Sequence, residues 1–124
     1  QFCESLRSYL PHEDFSRFMI LVKAECHTPS EYYLYQNYPN PFNPTTDIIY
    51  FIPDGRSPTH TTLKIYNVLG QRVRTLIDER KGPGLYSINW DGKDEKGHEA
   101  LSGVYLYCLK IGDFIATRRM LLLK

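Results

Sequence analysis

From Thr46 onward the chain is cut into short apolar runs by turn-forming residues, and none of these runs carries a helical period. TDIIYFI at 46–52 is stopped by PDGRSP, after which TTLKIYN follows at 61–67. Gly70, within NVLGQRV, supplies the positive φ of a tight hairpin that leads into RVRTLI at 72–77. KGPG at 81–84 opens LYSINW at 85–90, where Tyr86, Ile88 and Trp90 share one face. A polar turn, DGKDEKG at 91–97, precedes VYLYCLKI at 104–111 and FIATRRMLLL at 114–123, which the two-residue loop Gly112-Asp113 joins into a hairpin. Six short strands with turn signals between them predict an all-β sandwich. The ten tyrosines and six phenylalanines favour the same class.

Before the first run stands YPNPFNPTT at 38–46. Proline lacks an N–H and fixes φ, so this stretch is neither helix nor central strand. We expect Pro39, Pro41 and Pro44 to hold an extended lead-in, Asn40 and Asn43 to close Asx turns, and Phe42 to plug one end of the sandwich. The chain then divides into an N-terminal segment, 1–36, the end of an upstream region or a docking strand, and a folded unit, 37–124. Within the segment, DFSRFMILVKAEC reads as a helix with Phe15, Phe18, Met19 and Val22 on one side. It reads equally as a strand in which Phe18, Ile20, Val22 and Ala24 alternate with Met19, Leu21 and Lys23; its β-branched and aromatic content leans to strand.

A formal net charge of +1 gives no reason to expect nucleic acid or an anionic membrane surface as partner. The longest apolar run in that segment, FMILV at 18–22, falls far short of the ~18 residues of a membrane span. The opening QFCESLRSYL has no basic n-region or apolar h-region, so a signal peptide is expected to have been removed or to lie upstream. Cys3 and Cys26 flank the N-terminal segment and can pair in an oxidising compartment, leaving Cys108 alone; three free thiols is the open alternative. His12, His27, His60 and His98 have no metal-ligand spacing, and Cys26-His27 would point to opposite sides of a strand. With no catalytic motif present, no enzymatic activity and no cofactor are expected. Asp91, Asp94 and Glu95 form the best cation candidate, for calcium. Lys93 and Lys96 stand among them and the spacing is not that of an EF-hand, which favours a hydrogen-bonded turn.

Four motifs occur in order: LYQNYPNPFNPTTDIIYFIP, IYNVLGQRVRTL, GLYSINWDGKDEKG and LSGVYLYCLKIGDFIATRRMLLLK. Together they closely resemble the type A C-terminal sorting domain of the type IX secretion system, a pattern also described as an Ig domain like that of the flagellar-hook capping protein. The resemblance runs from about Leu34 to Lys124 and rests on Pro39, Asn40, Pro41, Phe42, Asn43, Pro44, Gly70, Gly84, Tyr86, Trp90, Asp91, Gly92, Gly103 and Tyr105. It implies an Ig-like antiparallel β-sandwich of about six to seven strands at the end of a longer secreted protein. In that family the domain is an address: after export to the periplasm, an outer-membrane translocon recognises it and passes the cargo to the surface or medium. The implied partner is that outer-membrane machinery, or neighbouring copies of the chain where such domains serve as structural modules. Arg118, Arg119 and Lys124 on the last hairpin are the candidate recognition surface, with solvated charges on an edge strand as the plain alternative.

The first strand departs from the family, in which apolar and polar residues usually alternate there. Ile48, Ile49, Tyr50, Phe51 and Ile52 are all apolar, and period-2 geometry puts Ile49 and Phe51 on the face opposite the other three. Left in water, each would forgo roughly 1.5–3 kcal/mol, so a cover is expected. The run holding Phe18, Ile20 and Val22, from this chain or a neighbour, is the candidate. Two rival functions follow from other features. An N-terminal strand adding to the next copy's edge would make the chain a subunit of an extracellular filament or surface layer. Tyr32, Tyr33 and Tyr35 suggest a carbohydrate- or adhesin-type binding module. Cys108 shares a strand face with Lys110, where the family commonly has a charged residue, and is expected to be exposed or half-buried.

Overall fold

The β-branched and aromatic run after the prolines forms strand β2 (Thr46–Ile52) in a computed structural model that describes residues 31–124. Around it stand β1 (Tyr33–Leu34), β3 (Thr59–Asn67), β4 (Arg72–Lys81), β5 (Gly84–Trp90), β6 (Gly103–Ile111) and β7 (Phe114–Leu122). They build two antiparallel sheets, ordered β1-β2-β5 and β4-β3-β6-β7. The chain changes sheet wherever its punctuation is densest: at 53–58, at Gly82-Pro83 and at 91–102. No helix among the described residues is long and apolar enough to cross a membrane. The described residues form an Ig-like all-β sandwich of seven strands.

Between the sheets lie Ile48, Tyr50 and Ile52 of β2, facing Leu63 and Ile65 of β3 and Tyr107, Leu109 and Ile111 of β6. Trp90 is fully buried at the end of β5, with its ring centroid 5.7 Å from Phe42 and 5.5 Å from Tyr105. Its indole Nε1–H donates to the carbonyl of Lys93 at 2.9 Å, so burial leaves no donor unmet. Tyr105, at the start of β6, turns its hydroxyl back to the carbonyl of Leu101 at 2.7 Å. That bond is the tyrosine corner of Ig-like sandwiches, and here it pins the crossing from β5 to β6.

The proline stretch differs from expectation. It is bent rather than extended, and it pairs: Tyr38 bridges Asp47 on β2, and Phe42 bridges Leu122 on β7. Asn40 closes no Asx turn; its Oδ1 accepts the backbone N–H of Leu121 at 2.9 Å. The reason lies in the edges. β7 ends its sheet with outward N–H and C=O groups, and a proline-poor gap at Phe42 offers one N–H and one C=O to meet them, at 3.0 Å each. Phe42 itself is buried against Trp90, the plug expected of it.

The strand limits follow the turn residues, with β4 running on to Lys81 through register shifts at Leu63/Lys64 and Ile65/Tyr66. β1 lies upstream of residue 37, where the folded unit was expected to begin, and pairs with β2 through Tyr33–Phe51 and Leu34–Tyr50. Residues 15–26, with the helix-or-strand question and Phe18, Ile20 and Val22, lie outside the described residues, as do Cys3 and Cys26. Cys108 is a free thiol, partly exposed on the outer side of β6.

Tyr107 tests the interior. Its buried hydroxyl donates to the carbonyl of Tyr35 at 2.7 Å and accepts the N–H of Asn37 at 2.8 Å, and burial raises its pKa well above the usual tyrosine value. The folded chain thus keeps this proton to higher pH than the unfolded chain, whose tyrosines titrate near about 10. Urea midpoints should stay level from neutral pH up to that value and fall as pH rises above it, with Tyr50, shifted the same way by burial, adding to the fall. Phe42→Ala should lower unfolding free energy by about 3–5 kcal/mol in urea titrations, since Trp90 and Tyr105 cannot close over the gap.

Candidate functional site

The β6–β7 hairpin carries the residues singled out for recognition, and strand alternation separates them. Arg118 pairs across from Tyr107, on the inner side of β7, and its guanidinium Nε donates to the carbonyl of Leu34 at 2.7 Å. Arg119 points the other way and is exposed. Its carbonyl accepts the side-chain amide of Gln36 at 2.6 Å. Lys124 holds Glu99 at 2.9 Å, and that bond keeps the Glu99 carboxyl below its usual pKa range. Of the three cations, Arg118 is an internal tie, Lys124 is partnered and Arg119 projects from the hairpin.

Around Arg119 the surface is shallow and mixed. Gln36, Asn40, Leu106, Thr117 and Arg118 line a groove of about 420 Å³ with it. Upstream on β7, Ile115 is 61% exposed. Ile115 and Thr117 alternate with the pairs that hold β7 to β6 and continue the outward series in which Arg119 meets Gln36 and Leu121 meets Phe42. The strap of residues 36–42 therefore meets the C-terminal half of the β7 edge, while along its first half no described strand pairs with β7, although Tyr32 stacks on Phe114 at 5.2 Å beside it.

The calcium candidates are not brought together. Asp91 Oδ1 accepts Arg74 Nη1 at 2.8 Å and the N–H of Lys93 at 3.0 Å. Asp94 Oδ1 accepts the N–H groups of His98 and Lys96 at 2.9 Å each, and these bonds, that of His98 foremost, lower its pKa. Glu95 Oε2 accepts the N–H of Thr75 at 2.8 Å, while its own N–H reaches the carbonyl of Val73 at 3.1 Å. Each carboxylate is thus directed at a donor of the fold, and no cluster of three metal-ligating side chains occurs among the described residues. The loop instead seals the edge of β4.

The motif residues fall on structural joints. Gly70 (φ +82°) sits in the β3–β4 turn, where Asn67 Oδ1 accepts the N–H groups of Leu69 and Gln71. Gly92 is required twice: its φ is +78°, and a Cβ there would lie 2.7 Å from the carbonyl oxygen of Pro44. Gly84 and Gly103 open β5 and β6, and Tyr86 stacks on Tyr50 at 5.1 Å. Pro39 accepts hydrogen bonds from Asn37 and Thr46, whereas Pro41, Asn43 and Pro44 are exposed. The tyrosines make no flat platform: Tyr32 stacks on Phe114 under Arg56, and Tyr33 on Tyr35. Sequence reasoning missed Asn37 and Thr46, whose only signal is that they are polar and flank the prolines, and Arg74 and Tyr107, whose partners lie far off in sequence.

Four measurements check these assignments. Arg118→Ala should cost about 1–3 kcal/mol by leaving the Leu34 carbonyl unmet, while Arg119→Ala stays within about 0.5 kcal/mol, both by urea titration. Gly92→Ala should cost more than about 1 kcal/mol. Millimolar calcium should leave the unfolding midpoint where it was.

Residues 51–110 match the model of the FlgD Ig-like domain. No curated protein matches the sequence significantly. Among solved structures, the chain is similar to dimeric latent PorU from Porphyromonas gingivalis, at 18% identity and a TM-score of 0.60 over 78% of this chain and 10% of that one. PorZ, described as an essential bacterial surface component of the type-IX secretion system of the same organism, aligns at 19% identity and a TM-score of 0.47 over 72% of this chain and 11% of its own. The chain spans about a tenth of the length of either protein, and at such identity the PorU likeness speaks for the fold alone. Fold, tyrosine corner and the match over 51–110 agree on one description: an Ig-like domain similar to that of FlgD.

Proposed function

We propose that residues 37–124 act as a non-enzymatic sorting domain of the type IX kind, an address that takes an attached polypeptide across the outer membrane to the cell surface or medium. The observation that carries this reading is the placement of the four motifs. The proline segment and the last hairpin, far apart in sequence, lie against each other, with Asn40 on Leu121, Phe42 on Leu121 and Leu123, and Gln36 on Arg119. Motif residues at the two ends of the unit thereby converge on one edge, as a surface read by a partner requires. Secretion machinery would meet Arg119, Thr117 and Ile115, exposed side chains on the half of β7 with which no described strand pairs. The match to the FlgD Ig-like domain and the PorU-like fold support the class of module.

A reporter fused upstream of this chain, expressed in a bacterium with type IX secretion, tests it. The fusion should reach the surface or medium, and removal of 37–124 should trap the reporter in the periplasm. Arg119→Ala should slow export without changing stability. Equal export with and without 37–124 would refute the proposal.

A further inference from the structure

The outer face of the β1-β2-β5 sheet is drier than a two-layer sandwich allows. Phe51 pairs with Tyr33 on one side and Leu85 on the other, and Ile49 pairs with Ser87 while its carbonyl accepts the N–H of Tyr35. Paired residues in an antiparallel sheet share a face, so Ile49, Phe51, Leu85, Tyr33 and Tyr35 all lie opposite Ile48, Tyr50 and Ile52. Ile49 is 3% exposed, Leu85 5% and Phe51 and Tyr35 7% each, yet none belongs to the cluster between the sheets. The second sheet stacks on the other side of β2 and cannot supply this burial.

We infer that the run FMILV at 18–22 of the same chain covers this face as a third layer, with Phe18, Ile20 and Val22 against Ile49, Phe51 and Leu85. Three features select that occupant. First, the dry patch is apolar and ends at polar neighbours, Ser87 and the pair Asn89 and Asp47, joined at 2.9 Å. An occupant must present a few apolar groups in a short row, and Phe18, Ile20 and Val22 recur at the same two-residue interval as Ile49 and Phe51. Second, reach is ample. Eleven residue steps separate Val22 from Tyr33, enough for ~36 Å of chain, against three strands at ~4.8 Å spacing. Third, a tethered segment acts at an effective concentration in the millimolar range, so it outcompetes the same run on a second, micromolar copy. The inference is independent of the sorting role, because it concerns how the residues upstream of 37 are bound to the sandwich.

A double-mutant cycle in the full chain tests it by urea titration. Ile20→Ala and Phe51→Ala should be coupled, their combined effect on the folding constant departing from the product of the single effects by at least about twofold. Ile20→Ala paired with Ile65→Ala in the inter-sheet core should show no such departure. The coupling should be the same at every protein concentration, on a monomer by sedimentation. Should Phe51→Ala unfold the chain, Leu85→Val takes its place in the cycle. Absence of coupling at the outer face overturns the inference, and so does coupling that appears only with dimers, which would assign the cover to a second copy.

Discussion

One buried hydroxyl fixes how the chain enters the sandwich. Tyr107 stands mid-strand on β6, inside the core, and its oxygen takes the N–H of Asn37 while its proton goes to the carbonyl of Tyr35. Those two backbone groups belong to a segment that has left β1 and has not yet begun β2. Neither sheet ladder can satisfy them, and each would cost about 1–3 kcal/mol if buried unmet. By meeting both, Tyr107 lets irregular backbone pass between the sheet edges rather than over the surface. Asn37 extends the arrangement, its side chain reaching Thr46 Oγ1 at 2.9 Å and the Pro39 carbonyl at 3.1 Å.

The prolines then acquire a reason beyond stiffness. A sandwich has edges, and an edge strand with free N–H and C=O groups invites pairing with another chain. A regular strand laid along β7 would itself become the new edge. A segment in which Pro39, Pro41 and Pro44 have no N–H satisfies β7 at Leu121 and Leu123 through Phe42 and Asn40 without offering a further ladder. The same logic operates on the opposite side of that sheet, where Glu95 ties Thr75 and Val73 of β4. Loops rich in turn residues cap both edges, and the first half of β7 is the stretch with which no described strand or loop backbone pairs.

How much of this was legible depended on whether the signal was local. Strand content, the Gly112-Asp113 hairpin and the burial of Trp90 and Phe42 follow from period, turn chemistry and size, which neighbouring residues determine. Asn40 was legible as a turn former but not as a partner of Leu121, because that bond joins positions 81 residues apart. The carboxylates at 91–95 carry the same ambiguity: a sequence shows three acids, and only the fold shows that Arg74, the edge of β4 and the loop's own N–H groups have claimed them. β1 escaped notice because two residues make no period. The apolar excess at Ile49 and Phe51, in contrast, was visible at once, since alternation is the strongest expectation a half-buried strand carries.

Alternation also decides what a partner can touch on the last hairpin. Arg118-Arg119 reads as one basic patch in a linear sequence, yet a strand sends the two side chains to opposite sides. The inner one reaches the Leu34 carbonyl and helps hold β1, the first described strand, against the last. The outer one shares its face with Thr117 and Ile115, beside backbone that no described strand pairs. Charge on this hairpin is therefore divided between closing the sandwich and presenting itself outward. Any macromolecule that reads the hairpin by its backbone edge must do so along a stretch where one arginine, and not two, sets the electrostatic register.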